Sequence, residues 1–379
     1  MNEKSKVLFI HSGAELYGSD KILLEVLRCL DKSLYEPIVL IPNSGPLEIE
    51  LENLNIKYIK KEFPILRRKY FNIIGIIKYF YEFIKSLNMI REIIIKNDIR
   101  VVTSNTLAVL EGAVICKILR VKHIWHIHEI IKEPKFMNKF YKLIVPSLTD
   151  NAICVSNAVK LNLFDENISK NIKVIHNGIE VKPDKLSICS DVKKNENLVI
   201  GMVGRVNKIK GQMFLLEVAK KLITNYPKLE FIMVGGVFEG QEYLMDELKN
   251  KVNELNLTNN IKIIDFDKEV DKYYEMFDIF VLPSIKPDSF PTVVLEAMNH
   301  SLPIVANVTG GVCEMIENDK NGYLIYEINP ENMARCIELL IKNHNKRKNF
   351  GIESKKIMNE KFSTEIFSKN INQYYNDLI

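Results

Sequence analysis

The 379-residue chain is longer than one ordinary hydrophobic core supports and suits two domains of about 150–200 residues each. With 47% hydrophobic residues, 26% charged residues and a formal net charge of +4, its balance is that of an ordinary globular protein and gives no case for a nucleic-acid partner. Six cysteines without a C-x-x-C pair predict buried, reduced thiols, not disulfides or zinc, and no run of about 18 apolar residues is present to span a bilayer. The start, Met1–Lys6, has no apolar h-region, so no secretory signal is expected and a cytoplasmic location is.

Val7–Ile10 is a short apolar run that predicts a strand. The loop His11-Ser12-Gly13-Ala14-Glu15-Leu16-Tyr17-Gly18-Ser19-Asp20 follows it, then an amphipathic helix over Lys21–Leu30. Strand-like runs recur at Pro37–Ile41, Val101–Thr103, His123–Ile127, Asn151–Val155 and Lys173–Ile175, with helical stretches between most of them. The polar stretch Ser190–Asn197 reads as a linker. After it come strand Leu198–Val203, helix Met213–Asn225, strand Leu229–Val234, helix Gly240–Asn256 and strands Ile261–Ile264 and Ile279–Leu282. Helix Thr292–Asn299, strand Pro303–Ala306 and helices from Pro330 and over Ser363–Leu378 close the chain. Alternating strands and helices predict parallel sheets covered on both faces, and such sheets bind ligands beyond the carboxyl ends of their strands. The economical fold is α/β, two doubly wound domains with a cleft between them.

Three motifs carry chemistry. Gly204-Arg205-Val206-Asn207-Lys208-Ile209-Lys210-Gly211 sets Arg205, a planar fork, and Lys210, a mobile point charge, between a strand and a helix. Lys208 holds no motif position and is read as surface. Asp288-Ser289-Phe290-Pro291 leads into a helix carrying Glu296, so two carboxylates flank a helix start with Pro291 in its first turn. Thr309-Gly310-Gly311-Val312-Cys313-Glu314 predicts bare amides at Gly310 and Gly311 near a helix start, with Cys313 as a packed thiol. Cations for a diphosphate, carboxylates for hydroxyls and exposed amides together fit a nucleoside-diphosphate sugar. His126 and His128 alternate at the end of a strand and share a face, but no third ligand at suitable spacing supports a metal there.

These motifs resemble glycosyltransferase family 4, the retaining, metal-independent group with the GT-B fold. Trp125-His126-Ile127-His128-Glu129, Val155-Ser156-Asn157-Ala158, Val174-Ile175-His176-Asn177-Gly178-Ile179 and Val234-Gly235-Gly236 extend the likeness over nearly the whole chain. The resemblance implies two Rossmann-like domains facing across a cleft: an acceptor-side domain over residues 1–190 and a donor domain over 191–362. Residues 363–379 form a helix returning to the first domain. It implies that Arg205 and Lys210 hold the donor diphosphate with Gly204, that Glu296 meets the ribose hydroxyls and that Asp288 lies near the transferred sugar. Asp288 stands where the family more often has Glu. The resemblance also brings His128 to the donor sugar, with His126 a second choice. Gly13, with Glu15 beside it, approaches the donor phosphates from the first loop. No cofactor and no metal are implied.

The chain is thus expected to move a sugar from a UDP- or GDP-linked donor to a glycan or polyprenyl-linked acceptor, in cell-surface polysaccharide assembly. No side chain is a clear nucleophile, which favours front-face departure and attack. A nucleotide-sugar epimerase on the same architecture, or a non-catalytic binding subunit of a transferase complex, are the alternatives. From Lys57 to Arg100 eleven Lys/Arg stand against four Asp/Glu, and Arg67–Lys85 interleaves basic, aromatic and aliphatic residues. That stretch suits either an interfacial helix on the anionic inner face of the cell membrane or a core helix edged by lysines.

Overall fold

In the computed structural model, residues 4–16, 18–66, 70–165, 168–183 and 198–378 are described. The linker expected at Ser190–Asn197 and the cations Arg67, Arg68 and Lys69 lie outside them. The chain forms two compact units, Met1–Gly178 with Thr364–Ile379, and Ile179–Ser363. The division falls at Gly178, twelve residues before the expected 190/191 boundary, because Ile179 already pairs with the second unit: its amide donates to the Phe362 carbonyl and it bridges to Ser363.

The first unit runs β1 (Ser5–Ile10), α1 (Gly18–Cys29), β2 (Tyr35–Ile41), α2 (Pro46–Asn53), β3 (Lys57–Lys60), α3 (Ile73–Lys96), β4 (Ile99–Ser104) and α4 (Glu111–Leu119). It continues with β5 (Lys122–Ile127), α5 (Lys135–Leu148), β6 (Asn151–Cys154), α6 (Asn157–Leu163) and β7 (Asn171–Val174). Its seven parallel strands are ordered β3-β2-β1-β4-β5-β6-β7. The pleat sorts β1: Val7 and Phe9 pack with Leu23, Leu27, Val39 and Leu47, while Leu8 and Ile10 pack with Ile90, Ile94, Val102 and Ile115.

The second unit holds β8 (Val199–Val203), α7 (Gln212–Asn225), β9 (Glu230–Val234), α8 (Tyr243–Glu254), β10 (Ile261–Ile264), α9 (Asp271–Tyr274) and β11 (Ile279–Leu282). α10 (Thr292–Asn299), β12 (Ile304–Asn307), β13 (Gly322–Ile325), α11 (Pro330–Lys342) and α12 (His344–Lys361) complete it. Its parallel sheet is ordered β10-β9-β8-β11-β12-β13. The last helix, α13 (Thr364–Leu378), belongs to the first unit. It buries Phe367, Ile371 and Tyr375 against β1 and α1, and Tyr375 hydrogen-bonds Thr103 at 2.8 Å.

α3 divides into two halves. Its second half packs Ile90 and Ile94 into the core, while its first half leaves Ile73, Ile74, Ile77, Phe80, Tyr81 and Ile84 exposed. The first half still buries Tyr79, so the lysine-edged core helix describes the second half and that residue of the first. α3 packs against α4, whose Glu111 is fully buried. Burial pushes the Glu111 carboxyl up to about 8. The folded chain therefore keeps this proton between the ordinary value of 4.5 and about 8, where the unfolded chain releases it. Stability should fall as pH rises through that window, and Glu111→Gln should flatten the decline. Thermal unfolding of both proteins across the window checks this; equal slopes would contradict it.

Candidate active site

In the second unit every motif sits at the carboxyl ends of the strands, where doubly wound sheets bind ligands. The loop after β8 is braced from below. The buried Gln212 amide donates to the carbonyls of Arg205 at 2.9 Å and Gly204 at 3.3 Å, and Val206 N–H reaches Gly236 O at 2.8 Å. Asn207 Oδ1 accepts the amides of Ile209 and Lys210, both at 2.9 Å, which turns the chain at Lys210. Gly211 takes the left-handed φ of 86° that starts α7, where a side chain would collide with the Pro283 carbonyl. The Arg205 guanidinium lies over Phe238, its Cζ 3.4 Å from the ring centroid, while Lys208 projects into solvent.

The structure brings Lys210 and Asp288 together as an ion pair, both largely shielded from solvent. Asp288 is also fixed through its backbone, since its carbonyl accepts Gly311 N–H at 2.8 Å and it bridges to Gly310. The Gly311 amide is therefore committed and is not the bare donor expected from the sequence. Cys313 differs too: it is exposed, not packed. Pro291 caps α10 instead of lying in its first turn. Glu296 is half-buried, and its Oε2 accepts the Tyr274 hydroxyl at 2.8 Å, while Tyr274 stacks on His300 at 5.3 Å. Burial, and next the neighbouring Glu296 charge, push the Tyr274 hydroxyl well up, so it stays a donor that orients the carboxylate.

Among the described residues, four buried polar atoms near this site have no partner: Gln212 Oε1 at the start of α7, Ser284 Oγ beyond β11, Asn307 Oδ1 at the end of β12, and Thr309 Oγ1 beside Gly310. A buried polar atom without a hydrogen bond is costly, and a ligand hydroxyl or phosphate oxygen at the strand ends would satisfy such groups. Nothing in the sequence singles out the last three, because Ser, Asn and Thr after a strand are also ordinary turn residues.

In the first unit the same strand ends gather a polar cluster. His11 follows β1, Asn105 follows β4, and His128 follows β5. Burial drives both neighbouring imidazoles to the neutral form, His126 to about 3 and His128 well below its ordinary value. Their rings lie 4.2 Å apart. Glu129 serves the scaffold. It accepts the Thr106 hydroxyl and the amides of Leu107 and His128, so it anchors the loop after β4 to the end of β5. Gly13 is packed against the Glu15 carboxylate and has no room for a Cβ without moving it. Among the described residues no three His, Cys, Asp or Glu side chains come together as a metal site.

Comparisons with known proteins fit this geometry. Residues 18–182 match the family described as Glycosyltransferase Family 4, and residues 188–357 match Glycosyl transferases group 1. An uncharacterized glycosyltransferase of Haemophilus influenzae is 29% identical over 339 residues, covering 88% of this chain and 90% of that protein. The UDP-Gal:alpha-D-GlcNAc-diphosphoundecaprenol alpha-1,3-galactosyltransferase of Escherichia coli is 26% identical over 344 residues, covering 86% of this chain and 84% of its own length. Among solved structures, Anabaena Alr3699/HepE in complex with UDP superposes with a TM-score of 0.79 at 20% identity, over 98% of this chain and all of that one. The last likeness concerns the fold, which is GT-B.

Proposed function

Because the chain belongs to the glycosyltransferases, with a family 4 half and a group 1 half, we propose that it is a retaining enzyme. It moves a sugar from a UDP- or GDP-linked donor to a hydroxyl of a glycan or polyprenyl-linked acceptor, in cell-surface polysaccharide assembly. The observation that carries this is the braced loop after β8, which presents Arg205 and Lys210 beside Asp288. The UDP held by the Anabaena protein and the lipid-diphosphate acceptor in the Escherichia coli relative's name support the two substrate classes.

Arg205 supplies a planar fork to two phosphate oxygens, and Lys210 exchanges Asp288 for the diphosphate as negative charge develops on the leaving group. Asp288, released from Lys210, is then available to a sugar hydroxyl. Glu296, held by Tyr274, accepts the ribose hydroxyls. His128 is neutral and so offers a lone pair to a hydroxyl of the sugar without repelling it or binding the diphosphate. Glu129 is engaged three times over and so is not available to attack carbon. Departure and attack on one face follow, and the two cations take the part a metal plays elsewhere. The test is a thermal-shift screen of nucleotide sugars. Stabilisation by one UDP- or GDP-sugar, lost in Lys210→Ala, supports the reading; no stabilisation by any would sink it.

The acceptor side has a surface suited to lipid. The exposed isoleucines and aromatics of α3 continue to α5 through the edge-to-face contact of Phe71 with Phe136, and Lys78, Lys85, Lys135, Lys139 and Lys142 lie exposed around them. Shallow insertion of such a face, with cations at anionic headgroups, is the interfacial mode. Among the described residues no helix is long and apolar enough to cross a membrane. The double change Ile77→Glu with Phe80→Glu should reduce sedimentation with phosphatidylglycerol vesicles about tenfold or more, since each burial is worth about 1.5–3 kcal/mol. Cleavage of a water-soluble donor should be unchanged. Wild-type protein that stays in the supernatant at low salt would return α3 to a merely exposed helix.

A further inference from the structure

Three buried groups, Asp20, His11 and Asn105, and the part-buried His128 form one continuous hydrogen-bonded chain in the first unit. His11 and Asn105 are fully inaccessible and Asp20 nearly so. His11 Nε2 bonds the Asp20 carboxylate, Asn105 Nδ2 lies 3.0 Å from His11 Nδ1, and Asn105 Oδ1 lies 3.2 Å from His128 Nε2.

The direction of every bond follows from chemistry. The Asp20 carboxylate only accepts, and its place in the first turn of α1 favours its negative charge, so His11 carries its proton on Nε2. Nδ1 of His11 is then a lone pair that needs a donor, and the Asn105 amide nitrogen supplies it. The Ser19 carbonyl, 3.5 Å from the same nitrogen, also accepts only, so the reversed amide would set two oxygens against each other. Asn105 Oδ1 is left facing His128, and an oxygen there demands Nε2–H.

We infer that Asp20, His11 and Asn105 are positioning residues that hold the His128 ring as the Nε2–H tautomer, leaving Nδ1 as the bare acceptor. This rests on the placement of His128 in the reaction given above, and it adds which nitrogen serves the substrate and what fixes it. A neutral imidazole in water is free to choose either tautomer and to flip its ring. Here a carboxylate three links away removes both freedoms, so the acceptor lone pair is present before the sugar arrives. The tilted ring of His126, its centroid 4.2 Å away, crowds His128 and limits rotation further.

Long-range proton–nitrogen correlation spectra of the full chain, labelled at histidine, read the tautomer directly. Wild type should show His128 with hydrogen on Nε2, and Asn105→Ala should turn that single form into a mixture. With the same change kcat should fall about 10- to 100-fold, since a small misplacement of a reacting group is that costly, while KM for the donor moves little. Asp20→Asn, which keeps an accepting oxygen, should retain both the tautomer and most of the turnover; Asp20→Leu should lose them. A wild-type ring protonated on Nδ1, or an Asn105→Ala protein with unaltered tautomer and kcat, would overturn the relay while leaving the donor site standing. His128→Ala that transfers sugar normally would instead remove the ring from the reaction and overturn the proposal at that step.

Discussion

Arg205→Ala and Lys210→Ala should each lower turnover by about 10²- to 10³-fold, equivalent to about 2.7–4 kcal/mol of barrier, with the fold intact. Neither side chain belongs to the core, so thermal unfolding should be little changed. The two should differ in a way the ion pair dictates. Loss of Arg205 removes one fork from the leaving group and bares Phe238. Loss of Lys210 removes a cation and also leaves Asp288 unpaired in a half-buried site, where its charge repels the diphosphate. Lys210→Ala should therefore be the worse variant for donor binding, and adding Asp288→Asn should recover part of that binding. Steady-state kinetics and calorimetric titration of the nucleoside diphosphate measure both effects. Equal losses in the two single variants, with no recovery in the double, would mean that Asp288 and Lys210 act independently.

Gly310→Ala should damage stability and activity together. Gly310 adopts φ 66° and ψ −131°, a conformation that residues with a Cβ adopt at a cost of about 1–3 kcal/mol. An added Cβ would also collide with the Asp288 carbonyl, the atom that accepts Gly311 N–H. The backbone must part there, and Asp288 carries Lys210 with it. A fall in Tm of roughly 5 °C or more is expected for a domain of this size, with transfer reduced at temperatures where the protein is still folded. Wild-type Tm and turnover in Gly310→Ala would show that the Asp288–Gly310 contact does not shape the site.

The parallel architecture was legible because apolar runs of four to seven residues alternate with longer amphipathic ones. Two strands were not. Lys57–Lys60 and Gly322–Ile325 lie at sheet edges, where four residues suffice: the first carries lysines at both ends, so no apolar run marks it, and the second offers only the short run Tyr323-Leu324-Ile325. α3 showed both of its faces in sequence, yet only packing reveals that its second half supplies Ile90 and Ile94 to the core while most apolar side chains of its first half stay exposed. The donor-side cations and acids could be named from local motifs. That Lys210 meets Asp288, 78 residues away, could not, and neither could the capture of the Gly311 amide. His11, Asp20 and Asn105 went unnoticed because their meeting depends on β1, α1 and β4 converging, and no spacing records it.

Whether this chain transfers sugar from a nucleotide donor with its own two cations in place of a metal is tested most directly by release of nucleoside diphosphate. The donor is the one that stabilises the protein, and release is followed with and without a polyprenyl-diphosphate saccharide and in excess EDTA. Acceptor-dependent release that survives the chelator, with one new glycosidic bond of retained configuration per diphosphate, is the expected result. Release abolished by EDTA and restored by magnesium or manganese, or conversion of the donor alone into an isomeric sugar, would contradict it.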